Sequence, residues 1–296
     1  MDMRAGGHRQ SIDLARFLAA FGVVYTHAEA STRDWTGHLS LGLFLILSAA
    51  LAVQSAERAG GQYDLMRRLR RVALPWLAWC LFYRALDLVF SDDPARFQPL
   101  RDPLTLLIGP EIHLWFLPFL MLGMVLVQPV AGAVTDRRRL AIGCAVLAGL
   151  GLPLLWLHEF AGLPFPFAQW THAIVMYGYG LLWVGAARLG RNGWPFLALL
   201  TLTAVLWPFV DKPWLVTVPL AAVLFELFWR LPLRHALLPH LGRAALGIYL
   251  VHPFVMLVVY KYLGPLDLWP MTLAVFFGAW ACVAVMLRLP LLRAVV

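Results

Sequence analysis

The stretch SIDLARFLAAFGVVYTHAEA, residues 11–30, reads at first as an ordinary apolar helix, yet Arg16 and His27 lie inside it. A charge held at mid-bilayer costs about 2.5–3.5 kcal/mol on insertion scales, so a group kept there faces protein or a water-filled cavity. Arg16 and His27 are 11 positions apart. At 1.5 Å rise and 3.6 residues per turn that is about 16 Å and three turns, which puts both side chains on nearly the same face. Asp13, three residues before Arg16, shares that face and lowers its cost by pairing with it. The plainer alternative is that Arg16 snorkels to one headgroup layer while His27 rests at the other interface.

Working outward, the whole chain has the composition of a membrane protein. Of its 296 residues 61% are hydrophobic and 14% charged, with mean hydropathy +0.74, whereas soluble domains run near 45–50% apolar and about 25% charged. Apolar segments of the length that crosses a hydrocarbon core of about 30 Å recur between short polar breaks. Ten are expected, near 12–31, 38–56, 70–90, 112–132, 139–158, 170–187, 195–210, 213–230, 243–261 and 269–288. The predicted fold is all-α, a polytopic integral membrane bundle of about ten transmembrane helices. The only break between the seventh and eighth spans is PFVDKPW, 208–214. No inter-span stretch is long enough for a soluble domain. The longest, SDDPARFQPLRDPLTLLIGPEI at 91–112, is broken by its prolines.

The sequence around 28–30, AEA, also resembles a small-x-small cleavage site after an apolar run. Arg16 and His27 interrupt or border that run, and losing it would reverse the charge pattern of the remaining spans, so the first span is expected to stay. The net charge of +8 and pI near 9.9 do not mark a nucleic-acid binder, because the basic residues are not gathered on one soluble face. With the N-terminus in the cytoplasm, 17 Lys and Arg fall on that side, including Arg4, Arg9, Arg58 and Arg137. Five fall on the other: Arg33, Arg96, Arg101, Lys212 and Lys261. The positive-inside rule then places both termini and the 58–71 loop in the cytoplasm and 91–111 outside. Cys80, Cys144 and Cys282 sit one to a span with no metal-ligand spacing and read as small buried hydrophobes.

Two further polar clusters break the apolar background. In RRLRRVALPW, 67–76, Arg68 and Arg71 are spaced i, i+3 on one helical face. They form either an anchor for anionic headgroups or a phosphate clamp, guanidinium forks being suited to phosphate oxygens. HLWFL (113–117) and GIYLVHPF (247–254) carry His113, Trp115, Tyr249 and His252. His113 and Trp115 suit an interfacial belt, and His252 before Pro253 suits a carbonyl freed by the proline. Neither reading explains why histidines recur in spans otherwise nearly free of ionisable groups.

In order along nearly the whole chain, these pieces resemble the membrane acyltransferase 3 family, whose bacterial members O-acetylate sugars of the cell envelope. The resemblance rests on IDLARFLAAFGVVYTH (12–27), with its Arg-x10-His spacing, on LGLFLILSA (41–49), on Arg68 and Arg71, and on HLWFL and GIYLVHPF. Two positions depart from the family pattern: Ala49 stands where glycine is usual, and Leu45 where a second phenylalanine is usual. The resemblance implies a single membrane acyltransferase domain over 1–296 with no soluble extra domain. It implies acetyl-CoA as cytoplasmic acyl donor, and as acceptor a hydroxyl of an envelope glycan or lipid-linked saccharide. The catalytic residues are then His27, the general base, and Arg16 at the other end of the same seam. Arg68, Arg71 and Arg16 hold the donor's phosphates, and Asp13, His113 and His252 support. Ser48, Tyr249 and Trp115 are all open as donors to the developing oxyanion. No metal is expected, since the histidines lie on different spans without a metal motif. The expected partners besides the acceptor are membrane lipids. The alternative function is a transporter or flippase for a lipid-linked glycan, which shares ten spans and a polar seam; a basic mouth leading into an Arg-x10-His seam suits a CoA thioester better than an uncharged sugar.

Overall fold

The computed structural model describes residues 9–28, 35–60, 63–90 and 108–296. Arg4, Arg33, Arg96, Arg101 and the 91–107 part of the long loop lie outside the described residues, and with them the charge assignments made there.

Ten α-helices are described, one for each expected span. They are α1 Gln10–Ala28, α2 Trp35–Arg58, α3 Leu65–Phe90, α4 Phe116–Ala133, α5 Arg137–Phe160, α6 Phe167–Arg188, α7 Gly193–Leu206, α8 Trp214–Arg230, α9 Leu238–Leu263 and α10 Leu268–Met286. A 3₁₀ turn, Ile112–Trp115, leads into α4. Among the described residues there is no strand. Glycine turns and a capping aspartate end the helices. Gly60 and Gly264 turn with φ of +56° and +73°, a region glycine enters without penalty. Asp136 caps α5 by accepting from the Arg139 amide at 3.0 Å.

The chain is a multi-pass membrane protein, but its helices are not equally fit for lipid. Six are long and apolar enough by themselves to cross a bilayer: α2, α3, the helical run His113–Ala133 that includes α4, α5, α9 and α10. α1 carries Asp13 and Arg16. α6 buries 13 of its 22 residues, so protein rather than lipid covers much of it and it tolerates Gln169, Thr171 and His172. α7 has 14 residues and α8 has 17, about 21 and 26 Å of helix. Outward-facing apolar side chains supply the lipid contact: Leu81 is 73% exposed and Val89 72%.

Two helices hold the centre. α1 packs on α2, α8, α9 and α10, and α2 packs on α1, α4, α6 and α8. The close approaches rely on small residues. At Gly180 of α6 a Cβ would lie 2.6 Å from the Ile46 carbonyl oxygen and 2.7 Å from the Ala49 methyl of α2. The methyl that Ala49 adds to the usual family glycine is therefore met by a glycine opposite it. At Gly242 of α9 a Cβ would lie 2.2 Å from Asp13 Oδ1, so the bare backbone there makes room for a buried carboxylate.

Alternating helices give the bundle two polar ends. Thr26 and Thr36 hydroxyls meet at 2.8 Å at one end. At the other, Arg188 pairs with Glu57 at 2.8 Å and Arg9 donates to the Trp229 carbonyl at 2.9 Å. Arg84, inside α3, pairs with Asp87 at 3.6 Å. Between α4, α5 and α6 lies an apolar cleft of about 670 Å³, lined by Phe119, Leu126, Val146, Leu150, Ile174 and Leu181, with Arg139 and Trp170 among its borders. Consecutive helices α4 and α5 do not pack along their length; α6 touches both. Cys80 and Cys144 are half-buried as expected of small hydrophobes, but Cys282 is exposed, on the outer surface of peripheral α10. A thiol is apolar enough to face lipid there.

Candidate functional site

At the end of α1 the His27 Nδ1 lies 2.9 Å from the Val23 carbonyl. A carbonyl only accepts, so Nδ1 carries the proton and Nε2 is the basic nitrogen. His27 is exposed, yet its ring centroid is 4.9 Å from that of buried His252, and His252 is 5.4 Å from buried His113. Three histidines from α1, the 3₁₀ turn and α9 thus converge. The turn, closed by the Leu114 amide on the Glu111 carbonyl at 3.0 Å, puts His113 into the interior.

His252 Nδ1 donates to the Tyr249 carbonyl at 2.7 Å. That carbonyl is the one left without its i+4 amide by Pro253, so the proline explains one nitrogen of His252 and fixes its tautomer. It does not explain the other. His252 Nε2 is buried without a hydrogen-bond partner among the described residues, and of the buried His113 nitrogens neither makes a well-aligned hydrogen bond there, the Leu250 carbonyl being the backbone group near one of them. Buried polar groups are seldom left so unless something else meets them. Tyr83, which the sequence reading did not single out, closes the cluster from α3: its ring centroid is 5.5 Å from His113 and its hydroxyl donates to the Leu250 carbonyl at 2.7 Å.

The three candidate oxyanion donors separate. The Tyr249 hydroxyl donates to the His113 carbonyl, so its proton is engaged. The Trp115 ring packs on Phe116 and Phe119, at 6.1 and 6.3 Å between centroids. Ser48 is half-buried, one turn along α2 from Phe44, whose ring lies 6.4 Å from Tyr249.

At the opposite end the basic candidates differ in how they are held. Half-buried Arg16 has buried Asp13 as the opposite charge acting on it, as their spacing predicts. Of the run RRLRR, Arg67, Arg70 and Arg71 are exposed. Arg68 alone is folded onto the protein: its Nη2 donates to Ser55 Oγ at 2.7 Å and its guanidinium lies 4.5 Å over the Tyr63 ring. Arg68 thus departs from a pure headgroup anchor, while Arg71 fits either reading.

A second histidine cluster was not legible in the sequence. His38 of α2, His158 of α5 and His172 of α6 have ring centroids 5.0 to 5.7 Å apart. His158 Nδ1 donates to the Ala168 carbonyl at 2.6 Å, so its Nε2 accepts from His38 Nε2–H at 2.9 Å. Beside them Glu159 accepts from Trp214 Nε1 at 2.8 Å and pairs with Lys212 at 2.7 Å. Among the described residues, no three His, Cys, Asp or Glu side chains are arranged to hold a metal ion.

The model of a protein family described as an acyltransferase domain matches residues 9–289, which takes in both ends of the bundle and every candidate residue above. No curated protein and no solved structure matches the chain.

Proposed function

The chain belongs to the acyltransferase-domain family, and from that premise we propose that it moves an acetyl or other small acyl group from cytoplasmic acyl-CoA to a hydroxyl of an envelope or exported glycan. The arginine end faces the cytoplasm in this reading and the histidine end faces outward. The observation that carries it is the convergence of His27, His113 and His252 at one end of a membrane bundle, with the His27 tautomer set by the Val23 carbonyl.

The chemistry follows from that geometry. His27 Nε2 takes the proton of the acceptor hydroxyl as its oxygen attacks the thioester carbonyl. The tetrahedral intermediate collapses, the C–S bond breaks, and the imidazolium returns the proton to the departing thiolate. Ester and free thiol result, with no net proton gained or lost. Arg68, Arg71 and Arg16 supply charge-assisted hydrogen bonds to the donor's phosphates. His113 and His252 present buried nitrogens toward the reacting end, where a bound acceptor gives them partners.

The test is mass spectrometry of surface glycans from a deletion strain, with the wild-type gene returned in trans. Loss and recovery of an acetyl-ester mass increment is the expected result. Glycans of unchanged mass but reduced export would replace this reading with the transporter.

A further inference from the structure

The segment that introduces α3 is built around one guanidinium. Asp64 accepts from the Arg67 amide at 2.8 Å and caps the helix, while the Leu65 amide donates to the Tyr63 carbonyl at 3.0 Å. That turn buries Tyr63, and its ring becomes the floor beneath Arg68. From α2, Ser55 Oγ takes one N–H of the same group. A guanidinium carries five N–H donors in a planar fork. One goes to Ser55, and the stacked ring face consumes none. Burial pushes the Tyr63 hydroxyl above its usual range against the pull of the Arg68 charge, so it stays protonated. It is buried with no hydrogen-bond partner among the described residues. A headgroup anchor needs no such setting, as the exposed Arg67, Arg70 and Arg71 show.

We propose that Ser55 and Tyr63 are positioning residues of the donor site, holding the Arg68 guanidinium in the orientation that receives a phosphate of acyl-CoA. The proposal rests on the reading that Arg68 binds the donor. Its physical content is preorganisation: a long flexible side chain fixed before binding loses less freedom when the phosphate arrives. A bidentate fork also gains more from fixed orientation than a point charge does.

Calorimetric titration of acetyl-CoA into the full chain in detergent or nanodiscs tests this without needing the acceptor. Arg68→Ala is expected to weaken binding about 10- to 100-fold, the effect of losing a charge-assisted hydrogen bond. Ser55→Ala and Tyr63→Leu each should weaken it about two- to ten-fold. Tyr63→Phe, which keeps the ring, should restore most of the affinity lost in Tyr63→Leu. The double variant Arg68→Ala/Tyr63→Leu should bind no worse than Arg68→Ala alone, because the tyrosine acts through the arginine. If Arg68→Ala weakens binding while Ser55→Ala and Tyr63→Leu do not, or if the double variant is additive, the positioning proposal fails and the donor reading stands. If Arg68→Ala binds as tightly as wild type, the donor reading fails and takes the proposal with it. Should Tyr63→Leu not fold, the cycle of Ser55→Ala with Arg68→Ala decides alone.

Discussion

His27 is tied down through one nitrogen and exposed through its position, the pairing a general base requires. Its substitution separates chemistry from binding. His27→Ala should lower acyl transfer by about 10²- to 10⁴-fold while leaving acetyl-CoA affinity within about two-fold, since Arg68 and Arg71 lie at the other end of the bundle. Parallel calorimetry and transfer assays on the same purified protein check this, and near-normal transfer would remove His27 as base. His252 is different, because one of its nitrogens serves the backbone. His252→Leu leaves the Tyr249 carbonyl unpaired at a proline break and should destabilise the protein by about 1–3 kcal/mol, seen as a lower melting temperature whatever happens to turnover. At this scale much was readable: an arginine, an aspartate and three histidines stand out against an apolar background. Tyr83 was not, since a tyrosine in an apolar span is unremarkable until a histidine from another segment lies 5.5 Å away. His38, His158 and His172 escaped for the same reason, being separated by 120 and 14 positions along the chain.

Elements show how polar residues are housed. α1 keeps Asp13 buried only because α9 offers Gly242 beside it. Gly242→Ala must displace that carboxylate from beside Arg16, and an overpacked contact of this kind costs about 1–3 kcal/mol. Thermal unfolding in detergent should show the loss, and Gly242→Ala should cost less on an Asp13→Ala background than on the wild type, because no carboxylate then has to be displaced. Gly180 plays the matching part for α2, taking up the Ala49 methyl that the sequence alone flagged only as a departure. Helix positions were legible to within a few residues because apolar runs end at prolines, glycines and charges. Which helices are central was not legible. α1, with Asp13 and Arg16, and α6, with Gln169, Thr171 and His172, are enclosed by their neighbours while α3, with five arginines, is not, and hydropathy along a single span does not record what encloses it.

For the whole molecule, the charge pattern makes orientation testable. With the native cysteines replaced by alanine, Asp64→Cys should resist an impermeant thiol reagent in intact cells while Pro265→Cys, at the other end of the bundle, reacts; the reverse pattern would overturn the proposed topology. The cleft between α4 and α5 adds a mechanical consequence. These two helices lean on α6 and are joined by the short 134–136 connection, with the apolar cleft between them, so little direct packing opposes a change in their separation. Mismatch between helix length and bilayer thickness costs fractions of a kcal/mol per ångström, and strain of that size goes first to the softest joint. α4 begins directly after the turn that carries His113, so a change in its tilt is transmitted to one member of the histidine group. Reconstitution in bilayers of graded acyl length should then change transfer rate several-fold with an optimum thickness, while acetyl-CoA affinity, set in the proposed reading at the α2–α3 end, stays nearly level. In this sense the membrane is a spring loaded against the proposed catalytic geometry.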